Sequence, residues 1–213
     1  MSIENALASL RDGKMIAVYD GDEREGETDL IFAAQFASAQ KIEILRRDAG
    51  GLICLAVSSK TAQKLKLPFY TDILEASNLE IKKLSCTKTA YGDKPAFSIA
   101  INHKQVYTGI TDNDRALTIS KFDEISTNTP ENFEKEFYSP GHVFLLISRG
   151  IENRKGHTEL AVELGLRAKL AGNMVLCEML GSGRAKSKKE VIDYCKKNGI
   201  EFIEGKDIIN EVE

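Results

Sequence analysis

Apolar positions along this chain fall into two rhythms, a helical one and a compact strand-length one, which take turns from start to finish. Residues 2–12 carry apolar side chains at helical spacing, with Ser2 as N-cap and Gly13 as stop, and the run MIAVY after them predicts a strand. An acidic stretch follows. Then LIFAAQ predicts a second strand, residues 38–49 a helix ended by Gly50 and Gly51, and LICLAVS a third strand too apolar to face water on either side, hence central. Residues 60–92 are polar and lack a clear period, so they read as irregular. FSIAI predicts a strand, and Thr111 with Asp114 forms a capping box that opens a helix running through RALTISKF. Beyond a surface stretch around Pro130, the alternation resumes. HVFLLIS is a strand, HTELAVELGLRAKLAG a helix, MVLCEML a strand, and residues 187–197 a helix with a Ser187/Glu190 capping box and Gly199 as stop.

Strands and helices that interleave in this way predict a layered α/β or α+β domain with a largely buried mixed sheet. No repeat, low-complexity tract or Pro/Gly-rich linker divides the chain, so the expectation is a single domain over residues 1–213. Composition sharpens this picture. With 213 residues and 42% hydrophobic content, the chain is large enough for one well-buried core. A formal charge of -3 provides no global positive field to attract nucleic acid or an anionic membrane. The longest apolar runs are strand-length, with no basic-then-apolar leader, so a soluble cytoplasmic protein is expected. The four cysteines, Cys54, Cys86, Cys177 and Cys195, form no C-x-x-C pair, and neither a disulfide nor a zinc site is expected.

Three places could carry chemistry. The first is the loop joining the first two strands, where Asp20, Asp22, Glu23, Glu25, Glu27 and Asp29 crowd around Arg24. Bunched carboxylates raise one another's pKa and cost stability unless a cation compensates, and a divalent metal would do so. For an arbitrary charge run a solvated turn is the better reading. It loses ground here because the charges adjoin core strands and contain an arginine suited to clamping an anion. The second place is SPGHVFLLISRGIENRKGHTELAVELG, which holds His142 at the entry to a strand and Arg154, Gly156, His157 and Thr158 at the start of a helix. A helix N-terminus offers unpaired N–H groups and partial positive charge, which suit a phosphate, and His157 could ligate a metal. The third is Glu178, a carboxylate in an apolar strand. It is either a structural ion pair or a group facing a site. Cys54 raises a similar question and by itself reads as a core cysteine. Thr108 and Thr111 sit at a turn into a helix, chiefly a capping signature, and His103 in INHKQ reads as surface.

Taken in order, DEREGETD, GLICLAV, YTGITDNDRALTI, SPGHVFLL, RKGHTELAVELGLRAKL and VLCEML resemble the successive signatures of the 3,4-dihydroxy-2-butanone 4-phosphate synthases. The resemblance spans about residues 10–180, and the absence of a second catalytic domain matches the stand-alone, archaeal-style form. It implies an α+β three-layer sandwich with a mixed twisted sheet covered by helices, a fold shared with YrdC-like proteins. It also implies a riboflavin-pathway lyase that converts ribulose 5-phosphate to formate and L-3,4-dihydroxy-2-butanone 4-phosphate, with Mg²⁺ or Mn²⁺ as cofactor. A homodimer with sites near the subunit interface is expected as well.

Carried over by motif, Glu25 and His157 are the metal ligands. Arg24, Glu25, Asp29, Thr108, Arg154, Lys155, Gly156, His157, Thr158 and Glu178 form the substrate-binding set. His142, Glu178, Asp29 and Cys54 form the candidate catalytic set, with His142 and Glu178 at the positions essential for proton transfers. The polar stretch before His142, TNTPENFEKEFYSPG, is long enough to carry that histidine to a partner subunit. Two readings compete with the enzyme, a nucleotide- or RNA-binding module on the same fold and a non-catalytic sugar-phosphate sensor. The acidic balance argues against the first, and turnover of ribulose 5-phosphate would exclude both.

Overall fold

The computed structural model describes residues 2–86 and 88–210. In chain order the elements are α1 (Ile3–Arg11), β1 (Ile16–Tyr19), β2 (Thr28–Ala33), α2 (Ala39–Ile44), β3 (Cys54–Val57), α3 (Ser59–Lys64), α4 (Tyr70–Ala76), β4 (Phe97–His103) and α5 (Asp112–Asn128). They continue with α6 (Phe133–Glu136), β5 (Phe137–Ile147), α7 (His157–Arg167), β6 (Met174–Glu178), α8 (Lys188–Asn198), β7 (Glu201–Glu204) and α9 (Gly205–Ile209). The strands make one mixed sheet in the order β4-β5-β3-β6-β2-β1-β7. β3–β5 and β1–β7 are the parallel pairs, and the remaining neighbours run antiparallel.

The side-chain period of two divides each central strand between two cores. Ala17, Leu30, Phe32, Leu55, Val57, Val143, Leu145, Val175 and Cys177 face one way and pack with Ile42 of α2, Ile119 and Phe122 of α5, and Val191 of α8. Ile16, Val18, Ile31, Cys54, Ala56, Leu146, Met174 and Leu176 face the other way and pack with Leu7 and Leu10 of α1 and Leu160 and Leu164 of α7. Helices thus cover both faces of the sheet, giving the α+β three-layer sandwich that the resemblance implied. β3 and β6 lie at its centre and are buried on both sides, which explains why LICLAVS and MVLCEML show no alternation. Among the described residues no helix is long and apolar enough to cross a membrane. The described cysteines are free.

Several boundaries differ from the sequence expectation, each for a physical reason. β2 begins at Thr28 rather than at the first aliphatic residue, because Asp29 is held in register opposite Glu178 of β6 by the ladder itself. Residues 60–92 are not wholly irregular. α3 forms there with Ser58 capping it by accepting from the Thr61 N–H, and α4 follows, both too short to show a period. β5 begins at Phe137, five residues before His142, because its outer half pairs with β4 across two register shifts. The residues before His142 therefore belong to a short 3-10 turn, to α6 and to a paired strand, and do not form a free arm. β7 and α9 carry no strong sequence pattern. Ser2 occupies the N-cap of α1 without a side-chain bond. Thr111 does cap α5, but Asp114 turns away to accept from the N–H groups of Thr108 and Gly109 instead of closing a box. His103 is not on the surface: it is 1% exposed, 5.3 Å from the Phe137 ring, with Nε2 3.4 Å from Glu136.

The α8 capping box forms in full. Ser187 accepts from the Glu190 N–H, and Glu190 accepts from both the N–H and the hydroxyl of Ser187. Those bonds, with Arg184 adding to them, depress the Glu190 pKa from 4.5 to about 2. A carboxyl whose pKa is lowered on folding contributes stability that is fully present above its unfolded value. It is lost as pH falls through the folded one. Ser187→Ala is expected to destabilise the protein by about 1 kcal/mol. Glu190→Gln should lower Tm at pH 7, with the gap to the unsubstituted protein closing between pH 4.5 and about 2. A gap in Tm that stayed constant across that range would show that the Glu190 charge does not act through the cap.

Candidate active site

The site is built where the N-terminus of α7 meets the adjoining ends of β2 and β6 and the loop that follows β1. That loop is folded by its own first carboxylate. Asp20 is buried and accepts from the N–H groups of Glu25 at 3.0 Å and Glu27 at 3.1 Å, while the Asp20 N–H donates to the Glu27 carbonyl. Tyr19 donates to Asp22, which fixes the outer turn. The effect is to bend the acidic run over α7, so that carboxylate oxygens of Asp20 and Glu25 and a ring nitrogen of His157 lie within 4.8 Å of one another. Two hard oxygen donors and an imidazole suit a Mg²⁺- or Mn²⁺-like ion, and the crowding of negative charge gives the site a reason to take one.

Beside this triad, Asp29 is 1% exposed and faces Glu178 across the β2–β6 ladder. Its Oδ1 is 3.7 Å from His157 Nε2 and has no hydrogen-bond partner. Burial, reinforced by the charges of Glu178, Glu25 and Glu27 and opposed by His157, pushes the Asp29 pKa up to about 7. His157 is shifted upward as well. Burial works against its charged form, but Asp29, Asp20 and Glu25 outweigh that cost. Together the two groups share positive and negative charge in a dry place. Glu178 is pinned from the other side: its Oε2 accepts from the Leu52 N–H at 2.8 Å, and its carbonyl accepts from the Gly51 N–H at 3.0 Å. Gly51 is required there, because a methyl group at that position would collide with both the carboxylate and the carbonyl of Glu178.

The candidate anion-binding half lies at the helix start. Gly156 caps α7, and its bare Cα lets the Arg154 guanidinium lie against it, a space that a side chain would fill. Arg154 is buried and pairs with Glu159 at 2.5 Å, so its charge is stabilised despite the cost of burial. Thr158 is buried in the first turn, where backbone N–H groups lack helical partners. Arg24 reaches across to Asp93 at 2.8 Å and sits over the Tyr91 ring at 5.5 Å.

One cavity of about 260 Å³ gathers Glu25, Asp29, Cys54, Arg154, His157, Thr158 and Glu178 among its lining residues. Cys54 lies on its floor, and burial followed by the charges of Glu178 and Asp29 keeps the thiol well above its ordinary pKa, hence neutral. Lys155 points out to solvent. His142 and Thr108 are not in the cavity. His142 is exposed on the outer half of β5, where its N–H donates to Asn102 Oδ1 at 2.8 Å and its Nδ1 lies 3.2 Å from the Asn102 amide. The Asn102 amide nitrogen also donates to Tyr138 at 3.0 Å, and Thr108 is held nearby through Asp114. His142 is four residues along β5 from Leu146, which lines the cavity, a separation of ~13 Å.

A family model for 3,4-dihydroxy-2-butanone 4-phosphate synthase matches residues 4–211. The chain belongs to this family. A 3,4-dihydroxy-2-butanone 4-phosphate synthase of Methanothermobacter thermautotrophicus is 41% identical over 215 residues, covering 97% of this chain and 94% of the relative. One of Methanosarcina acetivorans is 42% identical over 221 residues, covering 98% and 90%. The Candida albicans synthase structure superposes with a TM-score of 0.80 at 28% identity, covering 100% of this chain and 98% of that one. Another synthase of the family, solved in complex with two magnesium ions, gives a TM-score of 0.80 at 26% identity, with 100% and 97% covered.

Within this synthase family framework, sequence reasoning missed Asp20, Asp93, Tyr91 and Glu159. Asp20 stands in the same acidic run and could have been found as the carboxylate at the end of β1. Asp93 and Tyr91 come from a segment that reads as structureless, and Glu159 reads as a first-turn helix residue. Gly51→Ala should displace the Glu178 carboxylate and lower kcat at least about tenfold while the protein remains folded, since the collision is local to the β6 end. Unchanged steady-state kinetics in a folded Gly51→Ala protein would show that the placement of Glu178 does not matter.

Proposed function

We propose that the chain converts D-ribulose 5-phosphate to L-3,4-dihydroxy-2-butanone 4-phosphate and formate, the step its family performs in riboflavin biosynthesis, with Mg²⁺ or Mn²⁺ bound by Glu25, His157 and Asp20. The observation that carries this reading is the single cavity in which an oxygen-rich cation site, a helix-start anion site and a pair of facing carboxylates meet.

The substrate's phosphate is held by Arg154, Arg24 and Thr158, with the first N–H groups of α7 adding partial positive charge. Its sugar then lies toward Glu25, Asp29 and Glu178. When bound, the divalent ion supplies the Lewis acidity that stabilises negative charge on the ketone and neighbouring hydroxyl oxygens. Asp29 and Glu178 stand where protons must leave and return. A carboxyl with a pKa near 7 is suited to both jobs, because at neutral pH it is neither fully charged nor fully protonated. The Leu52 N–H fixes Glu178 without consuming both of its oxygens. Cys54 remains a neutral thiol and shapes the floor. Thorough chelation should abolish formate release from ribulose 5-phosphate, and added Mg²⁺ should restore it. Full turnover in the chelated protein would remove the ion from the reaction.

His142 and Thr108 are proposed to complete the site of a second copy in a homodimer. The support is their exposure, the distance of His142 from the cavity of its own chain, and the exposed Phe97 and Tyr138 on the paired strands β4 and β5. Mixing inactive Glu25→Gln with inactive His142→Gln and allowing exchange should then regenerate one intact site per heterodimer, about a quarter of the wild-type sites with random pairing. Heterodimers verified by mass spectrometry that remain inactive would place His142 with the metal ligands of its own subunit.

A further inference from the structure

The two arginines assigned to the phosphate are bridged by a carboxylate of the chain itself. Asp93 Oδ2 lies 2.8 Å from Arg24 Nη1 and 3.4 Å from Arg154 Nε. A single oxygen therefore meets both cations, one from the loop after β1 and one from the start of α7. The fit is incomplete. Arg24 Nε and Nη2 and Arg154 Nε are buried with no hydrogen-bond partner. Arg24 Nε lies 3.6 Å from Asp20 and Nη2 3.8 Å from Glu25, close enough for charge pairing but not for hydrogen bonds, so these buried donors remain geometrically unfilled, which is costly. A phosphate dianion, with three terminal oxygens and twice the charge, could fill them.

The residue is mounted so that it can leave. Asp93 sits on a turn whose internal bonds use only its backbone: the Thr89 N–H donates to the Asp93 carbonyl at 2.8 Å, and the Asp93 N–H donates to the Thr89 hydroxyl at 3.2 Å. Gly92 supplies the positive φ of +96° that the turn needs. The same segment places Thr89 and Tyr91 on the cavity wall. It is tied to the body downstream, where Arg149 Nη2 donates to the Pro95 carbonyl at 3.3 Å and the Ile147 N–H donates to that of Ala96 at 2.9 Å, and by the Tyr91 ring 5.5 Å beneath Arg24.

We propose that Asp93 is an internal stand-in for the substrate's phosphate: it occupies the seat between Arg24 and Arg154 when the site is empty and is displaced when a phosphate dianion binds. Like any intramolecular competitor, it lowers the apparent affinity for every anion by the fraction of time that it holds the seat. Weakly held monoanions are thereby kept out at ordinary concentrations, while a sugar phosphate still binds. In return, the two guanidinium groups share one carboxylate in the empty protein.

The inference rests on the phosphate seat proposed above, and two substitutions separate them. Titration calorimetry of the full chain with inorganic phosphate should give a Kd on the order of tenfold lower in Asp93→Asn than in the unsubstituted protein. The KM for ribulose 5-phosphate should fall in parallel. Asp93→Ala should shift both in the same direction, and both variants keep the turn because it uses only the backbone of Asp93. A Kd that is unchanged or higher in both variants would overturn the inference and make Asp93 a residue that holds the arginines in place for the substrate. Arg24→Gln is the control for the seat itself. If it weakens phosphate binding while neither Asp93 variant tightens it, only the role of Asp93 is overturned. If Arg24→Gln leaves phosphate binding untouched, the seat is misplaced and both proposals fail.

Discussion

The register between β2 and β6 sets Asp29 directly across from Glu178, and the rest of the site answers that placement. Like charges opposite each other on adjacent strands are unfavourable, and here the place is dry as well. The fold contains the problem by three means. Asp29 takes up part of a proton, His157 brings an imidazole to within 3.7 Å, and the Leu52 N–H binds the Glu178 carboxylate. Each has a position fixed by a different element, so the ladder, the start of α7 and the glycine pair before β3 must all be in place together. This is why residues spread over more than half of the chain act as one group.

How much of this could be read from the sequence depends on whether the signal was local. The central strands announced themselves through unbroken apolar runs, and α8 through a capping box that the structure reproduces bond for bond. The carboxylates and the imidazole of the candidate metal site were legible because DEREGETD and RKGHT each concentrate such residues in a short run. What was not legible depends on distant partners. Nothing near His103 indicates that Phe137 will cover it, and nothing in residues 60–92 shows that α4 will pack beside β4. Asp93 gained its place only from two arginines lying 69 positions upstream and 61 downstream, a relation invisible to any window of sequence.

The same distinction explains how the two clusters of candidate residues came apart. Sequence places His142 and His157 fifteen residues apart, which suggests neighbours. Strand geometry separates them, because β5 is extended and long, and its outer half leaves the sheet's centre to pair with β4 alone. Asn102 then fixes the His142 ring at that outer end, so the histidine is held in a set orientation although its surroundings are open.

β7 pairs in parallel with β1, and Gly205, just after it, lies against the Asp20 carbonyl so closely that a side chain there would push into it. Without β7, the backbone of Ile16–Tyr19 would present an apolar, proline-free edge, the kind that recruits strands from other molecules. The final strand thus serves as an insulating border. It keeps β1 from growing into an aggregate and, through Gly205, braces from behind the residue about which the acidic loop is folded.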